Sequence, residues 1–277
     1  MQVRPMVLPN GWYPKTPGEV EKQLKEWKKR YNIDETQGEG VAGIVPHAGW
    51  AFSGALAYRV ISGLKSGLDT VIIIGGHMAG DKPPYVLSDD SYESPFGPIE
   101  TDKQLAESVG TELELEYDRY ADNTVEVQVP IVRALYPQAK LLGFRTAPGQ
   151  TAIRLGKALF QHADKLGRSI AVIGSTDLTH YGPNYGYSPK GTGPQAVKWV
   201  KEENDKKMID ALCSMKLQEI ISLSHSDKSA CSAGGAAAAV EYARQSGAQE
   251  GKLIDYYTSK DIMPGDSFVG YAGILYL

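Results

Sequence analysis

The chain has 277 residues, 42% of them hydrophobic and 22% charged, and carries a formal net charge of −4. That length admits one large α/β domain or two small ones, with ample material for a core. There is no basic excess of the kind nucleic-acid binders show, no charged segment followed by an apolar run at the N-terminus, and no stretch long enough for a membrane span.

In chain order, an amphipathic helix is predicted after Thr16-Pro17, with the basic stretch Lys25 to Arg30 on its solvated face. A strand over 41–45 runs into Pro46-His47-Ala48-Gly49-Trp50, and a helix over 53–64 follows, with Ser53 as its N-cap. The apolar run 71–74 leads into Gly75-Gly76-His77. Residues 85–100 leave no room for a crossover helix and read as a hairpin-like insertion carrying Glu93-Ser94-Pro95-Phe96-Gly97. Helices over 102–110 and 125–135 precede a strand over 140–144, and a helix over 151–166 precedes a strand over 169–173. A long Pro- and Gly-rich loop, 183–194, reads as a lid or pocket wall. Helices over 197–215 and 233–245 and strands over 252–257 and 268–277 complete the chain. The alternation predicts one α/β domain over 1–277, with a central, largely parallel mixed sheet flanked by helices.

Three histidines follow strand ends. In open α/β sheets the crevice beyond the carboxyl ends of the strands is where ligands bind. His47 is either a ligand or a cap on the next helix; His77, after two glycines, is either a site residue or a surface turn. Ser175-Thr176-Asp177-Leu178-Thr179-His180 sets a carboxylate and an imidazole three residues apart. Such a pair can act as base and orienter, or as metal ligand and its support. Cys231 stands just before an Ala-rich helix, where the helix dipole lowers a thiol's pKa; the bland alternative is a small core residue. Cys213 fits the bland reading. Two cysteines make no disulfide framework, so a reducing cytoplasm is expected. Glu126 sits one turn into a helix, where acidic groups are common for dipole reasons. His162 and His225 read as surface residues. Two histidines with a thiolate or carboxylate, all non-local, suit iron, copper or zinc. No P-loop, nucleophile-elbow or dinucleotide fingerprint occurs in a suitable context.

These motifs resemble, in order, those of the Memo-like proteins, called protein B of the AmmeMemoRadiSam system in prokaryotes. Arg4-Pro5 and Gly11-Trp12-Tyr13-Pro14 are similar to the family's opening segment. Val45 to Trp50 with Phe52-Ser53-Gly54 resembles its most specific motif, and Ser175 to Gly182 resembles its Ser-Ser-Asp-x-x-His-x-Gly. Ile74-Gly75-Gly76-His77 stands where the family has Gly-Pro-Asn-His. Ser94-Pro95-Phe96-Gly97, Glu126 with Gln128 and Pro130, Cys231, Tyr257-Thr258-Ser259 and Val269-Gly270-Tyr271-Ala272 extend the likeness over nearly the whole chain. The family's Glu-His-Ser is Asp122-Asn123-Thr124 here, one histidine fewer, and Ser232 replaces the glycine after the cysteine.

The resemblance implies a fold related to class III extradiol ring-cleaving dioxygenases, which hold non-haem iron with two histidines and a carboxylate. His47 and His77 would be the imidazole ligands, with Cys231 in the carboxylate slot. Asp177 and His180, the candidate catalytic residues, would line the site as support for the ligands, as a proton relay or as substrate contacts, and Trp50, Glu126 and Tyr181 would line the pocket. The implied cofactor is iron (Fe2+) or copper (Cu+), with zinc as a third choice, and the implied function is redox chemistry on an unassigned substrate. The partner would be a small molecule or a peptide, with neither nucleic acid nor membrane involved. The alternatives are a non-catalytic binding module on the same scaffold and a hydrolase using Cys231 as nucleophile and His180 as base.

Overall fold

The computed structural model describes residues 2–35, 38–80 and 82–277. Its centre is the parallel set Ala42–Val45, Ile170–Ser175, Thr70–Gly75 and Lys140–Arg145, adjacent in that order. The set is extended antiparallel on both sides. Tyr85–Leu87 pairs with Lys140–Arg145 on one flank, and Phe268–Tyr276 pairs with Ala42–Val45 on the other. Gly251–Thr258 and His180–Tyr181 add to Phe268–Tyr276. This is the mixed, centrally parallel α/β sheet that the alternation of elements predicts.

The four central strands are buried along almost their whole length, which is why they read as apolar runs. Successive side chains alternate between two cores. Ile72, Ile74 and Val172 pack with Leu155, Leu159 and the alanines 236–239 on one face. Val71, Ile73 and Ala171 pack with Ala57, Val60, Ile131 and Val132 on the other. The helix Ala233–Gln245 is buried from Ala233 to Ala243 and can lie very close to the sheet because its inner face is Gly and Ala. A Cβ on Gly235 would overlap the Ile74 carbonyl, and one on Gly234 the Thr146 carbonyl.

Several elements differ from the sequence reading. The helix after His47 spans Trp50–Ile61 with Gly49 at the N-cap; the Trp50 N–H is held by Trp12 O at 2.7 Å, and the Ser53 hydroxyl donates to Ala48 O instead of capping. Tyr85–Leu87 joins the main sheet, and the hairpin is Ser91–Tyr92 with Ile99–Glu100. The single helix over 125–135 is two, Asn123–Glu126 and Val129–Leu135, separated before Pro130. The helix over 197–215 begins at Pro194 and passes through a π-helical turn, Val200–Asn204, before Asp205–Cys213. Leu217–Ser226 is a further helix. His162 is not on the surface: its imidazole is buried between Ser108 and Glu112. No helix among the described residues is long and apolar enough to cross a membrane.

Candidate functional site

The carboxyl ends of the central strands deliver the site. Val45 ends one strand and is followed by Pro46 and His47; Gly75 ends the next, and Gly76 follows at φ +111 before His77. Few residues other than glycine adopt that backbone, so the histidine depends on it. Ser175 ends the third strand and opens the segment that carries Asp177 and His180. The fourth contribution comes from the loop entering the Ala233 helix, which holds Cys231.

One donor atom each from His47, His77 and Cys231 lies within 4.8 Å of the others, and a second group, Asp177, His180 and Cys231, meets the same limit. The sulfur belongs to both. Cys231 Sγ is 3.2 Å from Nε2 of His47, and the Ser175 hydroxyl lies 3.3 Å from Nδ1 of the same ring. The rings of His47 and His77 stand edge to face, 5.1 Å between centroids. Donors around a tetrahedral ion at metal–nitrogen distances of about 2.0 Å and metal–sulfur distances of about 2.3 Å lie roughly 3.5 Å apart, and the 3.2 Å between Cys231 Sγ and His47 Nε2 is of that order, so this set could hold a small ion.

The backbone around the donors is tied from several directions. The His47 N–H donates to Asp177 Oδ1 at 2.7 Å, Asn123 Nδ2 donates to His47 O at 2.9 Å, and Gln128 Nε2 donates to Pro46 O at 2.7 Å. The Cys231 N–H donates to Asp177 O at 3.1 Å. Thr176 Oγ1 also donates to Asp177 O, at 2.8 Å, and accepts from the Ser232 N–H at 3.0 Å. Asp177 is thus the hub that binds the His47 and Cys231 segments together.

Burial pushes the His47 pKa down, the Asp177 charge opposing it in part, so the ring is neutral and able to ligate. Burial works against ionisation of Asp177, yet the adjacent His47 and His180 imidazoles and the hydrogen bond from the His47 N–H hold its carboxyl below the usual range. Desolvation pushes the Cys231 thiol up, reinforced by the charge of Asp177. This corrects the sequence expectation of a thiol lowered by its helix: a metal would be needed to hold the thiolate.

Over these groups opens a cleft of about 600 Å³, lined among others by His47, His77, Asn123, Asp177 and His180. Asn184 and Tyr185, from the short 3-10 turn Pro183–Tyr185, form part of its wall, as expected of the 183–194 loop. The Tyr185 ring is 4.9 Å from the His180 ring.

A family model described as Memo-like protein matches residues 4–275. The chain belongs to the Memo-like family. A MEMO1 family protein of Thermococcus onnurineus is 32% identical over 252 residues, 85% of this chain and 86% of its own. One from Pyrococcus furiosus is 32% identical over 300 residues, 99% and 98% of the two chains. One from Methanococcoides burtonii is 30% identical over 263 residues, covering 91% and 92%.

Three residues expected in the pocket of this Memo-like chain lie elsewhere. Trp50 is a core residue: its Nε1 donates to Val127 O at 3.0 Å and its ring packs against Trp27. Tyr181 is fully buried, stacked on Phe268 and donating its hydroxyl to Gly191 O. Glu126 faces a second cavity, of about 860 Å³, and latches the N-terminal segment there by accepting from the N–H groups of Val7 and Leu8 and from Tyr13 Oη. Its helical position points the side chain away from the histidines.

The sequence reading missed the support of His77. Asp122 Oδ2 lies 3.4 Å from His77 Nδ1 and 3.2 Å from Arg145 Nη1, while Asp118 takes the other side of the guanidinium at 2.5 and 2.8 Å. Although burial works against its ionisation, the hydrogen bonds from His77 and Thr124 hold the Asp122 carboxyl well below the usual range. Arg145 is the last residue of a parallel strand, the position from which the sequence argument drew its other candidates.

Proposed function

We propose that this Memo-like protein is a metal-dependent redox enzyme, with His47, His77 and Cys231 holding iron or copper at the floor of the cleft. The observation that carries the reading is the convergence of two imidazoles and a thiol from three distant segments within 4.8 Å. A thiolate in place of a carboxylate favours Cu(I) or Fe(II) over hard cations, with zinc a weaker alternative. The bound metal would supply one-electron and oxygen chemistry. A thiolate ligand of this kind suits a reducing compartment such as the cytoplasm.

The chain's own residues supply the rest. Asp177, anchored by the His47 N–H, has its second oxygen 3.7 Å from His180 Nε2 and 3.9 Å from His47 Nε2. It is suited to pass a proton between the buried floor and His180, which is one-third exposed at the cleft wall. A small molecule in the cleft would lie beside His180 and Asn184 as well as His47 and His77.

The test is elemental analysis and oxygen uptake on protein isolated anaerobically without a chelating tag. One redox-active ion per chain, lost in His47→Ala and in Cys231→Ser, with oxygen uptake that disappears in His77→Ala, is the expected result. Unchanged metal content in both variants overturns the metal assignment; stoichiometric metal with no turnover leaves a binding module. The contact between Cys231 Sγ and His47 Nε2 favours a second reading, a cysteine hydrolase, with His47 rather than His180 as base. Against it, the Cys231 N–H that would steady an oxyanion is already bonded to Asp177 O.

A further inference from the structure

We infer that the cleft selects an organic cation: a small molecule whose end remote from His47, His77 and Cys231 carries an ammonium group. The inference rests on the reading of that cleft as the substrate site and concerns the wall, not the floor.

Four aromatic side chains, Trp12, Phe52, Tyr185 and Tyr271, line the cleft. Phe52, Val269 and Tyr271 belong to one hydrophobic cluster, so this side of the wall is continuous. Among the described lining residues there is no lysine or arginine. The lysines of the neighbouring loops are engaged elsewhere: Lys201 pairs with Asp261 at 2.6 Å, Lys260 stands over the Phe268 ring and Lys190 over Trp199. Carboxylates are present at both ends of the cleft, Asp177 buried at the floor and Asp266 exposed at the rim.

Asp266 has no ion-pair partner among the described residues, and its place is fixed. Gly182, at φ +111, lies so close to the Asp266–Ser267 backbone that a Cβ would come within 2.5 Å of Asp266 O, and the Asn184 N–H donates to Ser267 Oγ at 3.0 Å. The two loops therefore fix the backbone that carries an exposed carboxylate, without an ion-pair partner among the described residues, at the mouth of an aromatic-walled cleft. Aromatic rings attract cations through their quadrupole, and a nearby carboxylate adds to that attraction. A phosphate or carboxylate entering the same space would find no lysine or arginine to pair with. The floor metal's charge acts on the ligating end of the substrate and leaves this preference of the wall in place.

The experiment titrates the metal-free protein with phenethylamine, 2-phenylethanol and phenylacetate, which share a skeleton and differ in charge, reading Kd by protein-observed NMR. Phenethylamine is expected to bind about five- to tenfold more tightly than the alcohol, as a cation–π and ion-pair increment of this size implies, and phenylacetate more weakly than either. In Asp266→Asn the amine's advantage should fall to about two- to threefold over the alcohol, the part the aromatic wall supplies, with the alcohol's own Kd unchanged. Phenylacetate binding as tightly as the amine, an undiminished amine preference in Asp266→Asn, or no saturable binding of any of the three overturns the inference. Metal uptake is measured on a separate sample. Normal metal uptake without the amine preference strikes only this inference, whereas the amine preference without metal uptake strikes only the metal assignment.

Discussion

Cys231 Sγ lies 3.2 Å from His47 Nε2, although 184 residues separate the two in the chain. The imidazole is held neutral by burial, and the thiol is pushed up by the same cause, so the pair rests as a protonated sulfur beside a basic nitrogen. Loading a metal must therefore expel the sulfur's proton. Metal affinity should rise about tenfold from pH 7 to pH 8, with about one proton released per ion, measured by chelator competition and by proton release in weak buffer. In Cys231→Ser the affinity falls and the pH slope flattens. An affinity independent of pH would show that the sulfur does not ligate.

His77 is the exposed member of the donor set, 42% accessible at its side chain, and depends on Asp122 for its orientation. Removing the carboxylate in Asp122→Ala frees the ring to rotate. The expected result is a metal affinity lower by about 10- to 100-fold, the usual cost of losing the group behind a histidine ligand. The fold should persist because Arg145 keeps both bonds to Asp118. Loss of the Asp122 N-cap, which accepts from the Thr124 N–H, adds a stability cost of about 1 kcal/mol, visible in urea unfolding but too small to explain the lost affinity.

The central strands were legible because burial on both faces leaves runs of apolar residues, and those runs set where His47, His77 and Asp177 emerge. The ion-pair chain behind His77 was not legible. Asp118, Asp122 and Arg145 are ordinary surface residue types, and only the tertiary fold shows that 27 residues of chain close to bring Arg145 against Asp118. Trp50 and Tyr181 were misplaced for a related reason. Each neighbours a site histidine in sequence, but Tyr181 follows His180 along a strand, where successive side chains face opposite ways, and Trp50 opens a helix with its ring in the core. Glu126 sits three residues past Asn123, which lines the cleft, yet it faces the other cavity.

Asp205 carries a prediction about pH and stability. The side chain is fully buried directly after the π-helical turn; its Oδ1 accepts from the Thr179 N–H at 3.0 Å and the Thr179 hydroxyl at 2.5 Å, and its Oδ2 from Tyr256 Oη at 2.7 Å. Burial outweighs these hydrogen bonds and raises its pKa from 3.8 to about 6. Between those values the folded chain keeps a proton that the unfolded chain has released, so this group's contribution to stability falls as pH rises through that window and is constant above it. Asp205→Asn keeps the shape and removes the titration. Relative to wild type, the variant should gain on the order of 2–3 kcal/mol in unfolding free energy between pH 4 and pH 7, read from urea denaturation at both values. A constant difference across that range would place the group's pKa back in the ordinary carboxylate range.

The closeness of the Ala233 helix to the sheet is what sets Cys231 in reach of His47, and it depends on an absent side chain. At Gly235 a Cβ would overlap the Ile74 carbonyl, which belongs to the strand leading to His77. Neither side can yield cheaply: one is strand backbone in a parallel ladder and the other a buried helix. Gly235→Ala should cost about 1–3 kcal/mol of stability, as overpacking does, despite alanine's better helix propensity. Any relief has to come from moving the N-terminal end of the helix outward, and Cys231, four residues upstream, moves with it. Metal affinity should therefore fall in Gly235→Ala even under conditions where the variant is fully folded. Gly247→Ala, at the far end of the same helix with nothing within 4 Å of its Cβ, controls for global destabilisation: its φ of +98 costs stability as well, but affinity should be retained.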